Sequence, residues 1–402
     1  MVDVKRSNRI AILNLLHEKG GMSRKRISKE LLLTPSGITL IVSDMIKEGI
    51  LREGKTLPGI GSAGRKEVVV DINTHAFCGL GISINLHEVC LSAVYSDGIV
   101  LFQKNVPIEY ETPVEELVCY LSNELLELVE YNHIEPKSIV GLGVAIRGII
   151  DLEKRKSVRS FGALKEENVP LLQMFQEKTG LQVTLENNVR SLSEAHIFMT
   201  HTSRPSSMFF IRSEIGIGGA VTIDSKVHLG GSGKCSELGH IPIVNNGKPC
   251  HCGKRGCLET IASPKAIESE IRECFSVDKT PILYTLVQGN PNNISLDLIM
   301  LAASSGDMHV KNIVKNAITQ LANAIKAIIY IIDPQKIVLY GRMFENKHYL
   351  EWLEVEMKIG TEDCSDTIIE KSEFNLTLEN KCAGIIAIRT FYNNGGINRI
   401  EE

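Results

Sequence analysis

Four potential metal ligands are concentrated in one short stretch, GHIPIVNNGKPCHCGKRGCLE, at residues 239–259. His240 is followed after nine residues by Cys250, and Cys252 and Cys257 come shortly after it. One imidazole and three thiolates suit a closed tetrahedral Zn²⁺ site, because soft thiolate ligands favour zinc over harder cations. Glycines between the cysteines allow the backbone to curl around an ion. We therefore predict a zinc site formed by His240, Cys250, Cys252 and Cys257.

Two alternatives stay open for this stretch. The cysteines could be reduced thiols without a metal, and His251 competes with His240 as the histidine ligand. Both neighbours of His251 are predicted ligands, so a simultaneous bond from His251 would be strained. Four protein ligands leave no open coordination position, which makes the predicted zinc structural rather than catalytic. We expect it to orient its neighbours, among them Glu237 and Glu259.

The cellular location of the protein is predicted from its ten cysteines and from the lack of long apolar segments. The segment MVDVKRSNRI has no continuous apolar core of the kind found in signal peptides. No window reaches the roughly 18 apolar residues that a membrane span needs. We therefore predict a cytoplasmic protein without a membrane partner, whose cysteines are reduced or bound to metal.

Charge is distributed unevenly along the chain. Residues 1–66 contain 13 Lys and Arg residues against 6 Asp and Glu residues, a net charge of +7, whereas the whole chain of 402 residues carries −4. A small basic module on a larger acidic body indicates that the basic end binds a polyanion. Chance clustering of charge on a solvated face is the alternative.

The basic end has the pattern of a winged helix-turn-helix. Ser7 or Asn8 can cap a first helix, Ser23 opens a second, and Thr34 precedes a proline at the start of a third. A strand, a loop rich in Gly, Pro and Ser, and a second strand follow. We predict a DNA-binding domain over residues 1–72. The alternative is a helical module used for protein contacts or dimerisation.

DNA contacts of two kinds are expected from this domain. The start of the third helix would face base edges, and basic side chains of the second helix and the wing tip would contact phosphates or the minor groove. The predicted DNA-binding residues are Arg24, Lys25, Arg26, Thr34, Ser36, Gly37, Thr39, Arg65 and Lys66.

The remaining residues, 73–402, alternate between strand and helix patterns. A set of three strands with a turn near Ser96 begins the region, and a second set begins near Met208 after an intervening helix. Amphipathic helices follow each set. We predict an α/β protein with two similar lobes and a cleft between them.

At the metal stretch the chain resembles the ROK family of sugar kinases and sugar-responsive repressors. ELGHIPIVNNGKPCHCGKRGCLE is similar to the zinc signature of this family, and GVAIRGIID and LENNVRSLSEA are similar to its sugar-domain and active-site segments. A winged helix-turn-helix ahead of such a body is the architecture of the family's repressors. The resemblance implies a two-lobed actin-like, ribonuclease H-like ATPase-type fold and a homodimer or dimer of dimers on operator DNA.

The resemblance also implies sugar-binding residues. Carboxylates and imidazoles suit pyranose hydroxyls, because they accept and donate hydrogen bonds in fixed directions. The matching positions in this sequence are Asn187, Asn188, Glu237, His240 and Glu259. His240 would contact sugar through one ring nitrogen and metal through the other. Solvated surface carboxylates are the alternative for both glutamates.

Two departures from the kinases of the family argue against catalysis. Asn188 stands where those kinases have the aspartate that takes the proton of the sugar hydroxyl, and an amide cannot act as that base, a loss of about 10²–10⁴-fold or more. The segment SINLHE, residues 83–88, replaces their Asp-x-Gly-Gly-Thr loop for ATP phosphates. We therefore predict that the chain is not an enzyme. A sugar kinase with a DNA-binding appendage is the alternative.

The predicted function is a sugar-responsive transcriptional repressor with a catalytically inactive effector domain. Arg147 replaces a proline of the family's sugar segment and could approach a sugar phosphate, or it could be a solvated loop arginine. The effector is therefore expected to be a sugar or a sugar phosphate. A regulator controlled by a protein partner that docks at the zinc region is a further alternative.

Overall fold

The computed structural model describes residues 4–57, 67–151, 153–200, 205–231, 233–359 and 366–397. The chain divides into two compact units. The first contains residues 1–204 and 378–402, and the second contains residues 205–377. The predicted domain boundary between residues 72 and 73 falls inside the first unit and stays a prediction.

The N-terminal part of the first unit is a winged helix-turn-helix. Its elements are α1 (Val4–Lys19), β1 (Met22–Ser23), α2 (Arg24–Leu31), α3 (Pro35–Lys47), β2 (Leu51–Leu57) and β3 (Glu67–Ile72). The three strands form an antiparallel sheet in the order β1-β3-β2. The hydroxyls of Ser23 and Thr34 accept hydrogen bonds from the amides of Arg26 and Gly37, so both predicted caps are confirmed.

The start of α1 differs from the expectation. The helix begins at Val4, so Ser7 and Asn8 lie inside it and cap nothing. The ammonium of Lys5 lies 2.8 Å from the carboxylate of Asp44 on α3, which gives the first turn of α1 a partner outside its own helix.

The first lobe follows in the same unit. Its elements are β4 (Cys78–Ile84), β5 (Glu88–Tyr95), β6 (Val100–Pro107), α4 (Val114–Tyr131), β7 (Ile139–Ile146), β8 (Ile149–Asp151), β9 (Lys156–Arg159), α5 (Leu171–Thr179), β10 (Val183–Asn187) and α6 (Asn188–Met199). The main sheet has the order β10-β7-β4-β5-β6. Strands β4, β5 and β6 are antiparallel neighbours, whereas β7 and β10 are parallel additions. Strands β8 and β9 form a separate hairpin.

The second unit repeats this sheet. Its elements are β11 (Ser207–Ser213), β12 (Ile217–Ile223), β13 (Lys226–Val227), α7 (Glu259–Ala262), α8 (Pro264–Cys274), α9 (Pro281–Leu286), α10 (Leu296–Ser304), α11 (Met308–Ile332), β14 (Lys336–Tyr340), α12 (Lys347–Lys358) and β15 (Ile368–Lys371). The sheet order is β13-β12-β11-β14-β15, again three antiparallel strands followed by two parallel ones. Two lobes with the same strand order are the hallmark of the actin-like ATPase-type fold, as predicted.

One last helix, α13 (Cys382–Asn393), returns to the first unit and packs on its sheet. The packing is close because glycines of the sheet lie against the backbone of the helix. A Cβ atom on Gly143 would lie 1.8 Å from the carbonyl oxygen of Ala383, and one on Gly79 would lie 2.1 Å from that of Gly384. The helix therefore lies directly against strands β4 and β7, and it positions its C-terminal end, Asn394 and Gly395, beside α1.

None of the helices in the described ranges has the length and hydropathy to cross a membrane.

Candidate metal centre and ligand-binding residues

The predicted metal stretch lies in the second unit, in a loop that doubles back on itself. Two isolated antiparallel bridges, between Pro242 and Cys257 and between Pro249 and Arg255, hold its two arms together. Gly256 has a positive φ of 69°, and a Cβ atom there would lie 1.8 Å from the carbonyl oxygen of Val244. Only glycine fits at this position, where the two arms of the loop cross. Gly256 therefore allows the curled backbone that the glycines between the cysteines predicted.

This loop brings the four predicted metal ligands together. The ligand atoms of His240, Cys250, Cys252 and Cys257 all lie within 4.8 Å of one another. The Nδ1 atom of His240 is 3.5 Å from the sulfur of Cys250, and the sulfurs of Cys252 and Cys257 are 3.7 Å apart. Tetrahedral zinc with ordinary bond lengths separates two thiolate sulfurs by about 3.8 Å, and a nitrogen from a sulfur by about 3.6 Å. The donor set and its spacing therefore fit zinc.

The pKa values of the three thiols are shifted in different directions. Burial raises the pKa of Cys250 and, to a smaller extent, that of Cys257. Burial also acts to raise the pKa of Cys252, but hydrogen bonds from the Lys254 amide and from the two neighbouring thiols outweigh it and lower the pKa. A cation at the centre of the cluster would stabilise all three thiolates by its positive charge. Metal binding would therefore lower the pKa of each sulfur and release its proton.

A second group shares His240 with the thiol cluster. It consists of His240, His251 and Glu259, the first residue of α7. The Nδ1 atom of His251 lies 3.0 Å from the Glu259 carboxylate, and that of His240 lies 3.6 Å from the same oxygen. His251, the competing histidine of the sequence, thus pairs with a carboxylate at the edge of the cluster. Glu259 itself is buried, with a relative exposure of 8%.

Glu237 precedes the short 3-10 turn of residues 238–240 and is half-buried. Its carbonyl oxygen accepts a hydrogen bond of 3.0 Å from the amide of His240. Gly239 is buried within this turn, where a Cβ atom would lie 2.1 Å from the carbonyl oxygen of Ile217. Glu237 and His240 therefore lie at the two ends of one tight turn. Glu259, at the start of α7, lies next to His240.

Asn187 and Asn188 lie in the first unit, where β10 ends and α6 begins. The side-chain oxygen of Asn187 caps α6 by accepting hydrogen bonds from Val189 and Arg190, at 2.8 and 3.2 Å. Its side-chain nitrogen donates to the carbonyl oxygen of Gly148 at 2.7 Å. Asn187 thus has a structural role that the sequence reading missed, although Asn before a helical pattern is a recognised cap signal. Asn188 is buried at the first position of α6.

The segment SINLHE forms the turn between β4 and β5. The amide of Asn85 donates to the carbonyl oxygen of Glu88 at 3.0 Å, which closes a tight hairpin. Leu86 at its tip lies close to Gly162, where a Cβ atom would be 3.3 Å from the Leu86 side chain. The backbone of this turn therefore carries a leucine where a phosphate-binding loop would need glycines.

The predicted DNA-binding residues occupy the surfaces of α2 and α3. Ser36 and Thr39 are exposed on α3, Gly37 is half-buried there, and Thr34 caps it. Arg26 is exposed on α2. Arg65 and Lys66 lie outside the described residues.

Two of the predicted phosphate contacts have acidic neighbours on the wing. Arg24 lies 2.9 Å from the carboxylate of Glu53 on β2, and Lys25 lies 3.8 Å from that of Glu67 on β3. The carboxylates neutralise part of the positive charge of α2. A phosphate would have to compete with them.

Sequence reasoning missed how α1 packs on the rest of the first unit. Arg9 is 3% exposed, and its guanidinium binds the Glu48 carboxylate through two nitrogens and the Gly395 carbonyl oxygen through Nε at 2.6 Å. His17 is buried and bonded to the carbonyl oxygen of Phe198 at the end of α6. Both residues lie along the buried side of α1, and a polar residue on an apolar stripe was the available signal.

Comparisons with known proteins agree with this architecture. The ROK family model matches residues 80–367, and a model for winged helix-turn-helix DNA-binding domains matches residues 5–52. A crystal structure described as a ROK family transcriptional regulator, homologous to the MLC protein of Escherichia coli, has a TM-score of 0.77 at 23% identity and covers 98% of each chain. A ROK family glucokinase from Streptomyces griseus has a TM-score of 0.65 at 19% identity, covering 78% of this chain and 99% of the glucokinase.

Two relatives align with this chain over more than four fifths of their own length. The DNA-binding transcriptional dual regulator NagC of Escherichia coli is 25% identical over 85% of this chain and 82% of its own length. The xylose repressor of Caldicellulosiruptor bescii is 25% identical over 86% of each chain. The molecule thus combines a winged helix-turn-helix domain with a ROK body. The chain belongs to the ROK family.

Proposed function

We propose that this chain represses transcription by binding operator DNA, and that a sugar or sugar phosphate bound to its ROK body changes the affinity for DNA. The observation that carries the proposal is the alignment over more than four fifths of the chain with regulators named for N-acetylglucosamine and for xylose. A kinase would need only the body, whereas this chain also has a winged helix-turn-helix with an exposed third helix.

A non-catalytic body is part of this proposal. Asn188 is buried at the start of α6. The resemblance to the kinases of the family implies that it stands in place of their basic carboxylate. The Asn85–Glu88 hairpin presents a leucine side chain instead of a glycine-rich phosphate cradle. Both features lower the capacity for phosphoryl transfer, because they remove the proton acceptor and the binding site for ATP phosphates.

The cluster of His240, Cys250, Cys252 and Cys257 would hold a structural zinc ion. The ion would join the two arms of the loop between residues 240 and 257, and it would fix the ring of His240. Glu259 lies next to this ring and to His251, so its carboxylate would be held in one orientation. Glu237, His240 and Glu259 would then bind sugar hydroxyls in the second unit. Asn187 and Asn188 are the proposed sugar contacts of the first unit.

A route from the proposed sugar contacts of the first unit to the DNA-binding domain would run through α6. Helix α6 begins at Asn188, beneath the Asn187 cap, and near its C-terminal end the carbonyl oxygen of Phe198 is bonded to His17 of α1. A change in the position of α6 on sugar binding would therefore reach the winged helix-turn-helix directly. In a homodimer, it would alter the spacing of the two third helices and hence their fit to an inverted-repeat operator.

The proposal is tested by fluorescence anisotropy of the full-length protein on DNA from upstream of its own gene, without ATP, against a panel of sugars and sugar phosphates. We expect tight binding that weakens steeply with salt, because phosphate contacts release counterions. One sugar should change the affinity by about 5- to 150-fold. Salt-insensitive binding, or equal affinity in the presence of every sugar, would contradict the proposal.

A second candidate function is an ATP-dependent sugar kinase, favoured by the likeness of the body to the Streptomyces griseus glucokinase. It is tested by a coupled assay for ADP with the same sugars. We expect no turnover above the background of the Asn188→Ala variant. We also expect none from Asn188→Asp, since the phosphate loop is missing as well. Turnover by the native chain that is lost in Asn188→Ala would support the kinase instead.

A further inference from the structure

The exposed face of α3 carries an apolar side chain in an otherwise polar setting. The buried residues of α3 are Ile38, Ile41, Val42 and Met45. Ser36, Thr39, Leu40 and Lys47 face solvent instead, and Leu40 is 64% exposed. Ser36 lies three residues before Thr39 and four before Leu40, so each of these two exposed side chains is a neighbour of Ser36 on the helix surface.

The polar groups of this surface are partly used within the helix itself. The hydroxyl of Thr39 donates a hydrogen bond of 2.8 Å to the carbonyl oxygen of Pro35. The hydroxyl of Thr34 accepts one of 3.3 Å from the amide of Gly37. The hydrogen of the Thr39 hydroxyl is therefore already donated, and its methyl group is left to meet a ligand. Leu40 and this methyl group form a small apolar patch.

The surroundings of the patch favour DNA over a protein as the occupant. Residues 1–66 carry a net charge of +7, and the exposed Arg26 and Lys47 lie on α2 and α3. The acidic residue of α3, Asp44, is paired with Lys5. An apolar patch within a basic surface matches the major groove of DNA, where the apolar group on the base edges is the C5-methyl of thymine.

We propose that Leu40, together with the methyl group of Thr39, contacts the C5-methyl of a thymine in each operator half-site and thereby selects thymine at that position. This inference rests on the proposed function, because it requires that α3 enters the major groove. The proposed contact gives α3 an apolar residue, Leu40, that recognises a base, in addition to the base contacts predicted from the sequence.

The test uses a duplex selected by the full-length protein from a random DNA library. Each thymine of the selected site is then replaced in turn by deoxyuridine, which keeps base pairing and lacks the C5-methyl group. For the native protein, we expect one or two of these replacements in each half-site to weaken binding about fourfold per methyl group. The Leu40→Ala protein should show a clearly smaller uracil penalty at those positions, because only the methyl group of Thr39 remains to contact the thymine.

One pair of variants and one single variant control the experiment. Thr39→Val keeps a methyl group and removes the hydroxyl, whereas Thr39→Ser does the reverse, so sensitivity to uracil should survive in the first and decrease in the second. Lys47→Ala should weaken binding to all duplexes equally, as a phosphate contact does. Thermal unfolding of each variant, followed by circular dichroism, verifies that these exposed substitutions leave the fold intact.

The outcomes separate this inference from the proposed function. If no sequence is enriched by the protein, the regulator itself is contradicted. If a duplex is enriched but Leu40→Ala shows the same uracil penalties as the native protein, the thymine contact is wrong and the regulator stands. A Leu40→Ala variant that changes the oligomeric state in sedimentation would likewise overturn it, by assigning the patch to a second copy of the chain.

Discussion

The Nε2 atom of His17 lies 2.8 Å from the carbonyl oxygen of Phe198, and the two rings stack with centroids 4.0 Å apart. This contact joins α1 of the winged helix-turn-helix to α6 of the first lobe. Tyr392 of α13 packs edge-on against the same imidazole at 5.6 Å. The DNA-binding domain is therefore attached to its lobe by a buried aromatic cluster in addition to the chain connection.

Replacing His17 with leucine keeps the bulk of the side chain and removes the hydrogen bond to Phe198. The carbonyl oxygen would lose its partner in a buried setting, so we expect the free energy of unfolding to fall by about 1–3 kcal/mol. We also expect a smaller effect of the sugar on DNA affinity. Urea unfolding and anisotropy measure the two effects. The control is His309→Leu, at an exposed position on α11, which should change neither quantity. If the sugar changes the DNA affinity of His17→Leu as much as that of the native protein, this contact does not transmit the effect of the sugar to the DNA-binding domain.

Arg9 is expected to contribute to stability through three hydrogen bonds, two to Glu48 and one to Gly395. Arg9→Ala should reduce the free energy of unfolding by roughly 1–3 kcal/mol, a range that allows for solvent screening at the half-exposed Glu48. Arg9→Lys should recover only part of this, because an ammonium cannot match the fork of the guanidinium. The midpoint of urea unfolding measures the effect, with Arg26→Ala as the exposed control. Equal midpoints for both alanine variants would contradict the expectation.

The glycine contact between α13 and its sheet gives a sharp steric prediction. Gly143→Ala would place a methyl group 1.8 Å from the Ala383 carbonyl oxygen, so the helix would have to move away from the strand. We expect a destabilisation of about 3 kcal/mol. Gly231→Ala is the matched control, because no atom lies within 4 Å of the added carbon there. Thermal unfolding compares the two, and similar melting temperatures would show that α13 does not lie this close to β7.

Local features of this fold were predictable because they depend on neighbouring residues. The caps at Ser23 and Thr34 and the four clustered metal ligands follow from spacing alone. The partners of α1 were not predictable in the same way. His17 meets a residue 181 positions away, and Arg9 meets one 386 positions away. A helical stripe shows that a position is buried, but it does not say against what.

The same distinction applies to the candidate sites. The pairing of His251 with Glu259 depends on the fold of the loop, since Cys252 and Cys257 both lie between the two residues in the sequence. The cap made by Asn187 would have been visible as an Asn between a strand and a helix pattern. The apolar patch of Leu40 was hidden for a different reason: a leucine in an amphipathic helix is expected on the buried side.

Loss of one metal ligand is expected to remove the zinc. Cys252→Ser should reduce the metal bound per chain from one zinc to none, since three remaining ligands bind far more weakly. The sugar response should disappear as the loop loosens. Metal analysis after dialysis gives the stoichiometry, and Cys119→Ser on α4 is the control that keeps both metal and response. An unchanged sugar response in metal-free Cys252→Ser would rule out the supporting role of the ion.

Glu259 is expected to bind sugar rather than metal. Glu259→Gln keeps the shape of the side chain and removes its charge, so we expect sugar affinity to fall about 10- to 100-fold, the range for a lost charged hydrogen bond. The zinc content should stay at one per chain. Isothermal titration calorimetry and metal analysis measure the two, with Glu354→Gln at an exposed site on α12 as the control. Loss of zinc with unchanged sugar affinity would reverse the assignment.

The central claim is that sugar binding and DNA binding are coupled in one chain. Coupling is reciprocal, so a sugar that changes the affinity for DNA must have its own affinity changed by the same factor in the DNA complex. The most direct test is calorimetric titration of the sugar identified by anisotropy into the free protein and into its operator complex. We expect two dissociation constants whose ratio equals the ratio of the DNA affinities with and without sugar. Identical sugar affinities in the two states would contradict it.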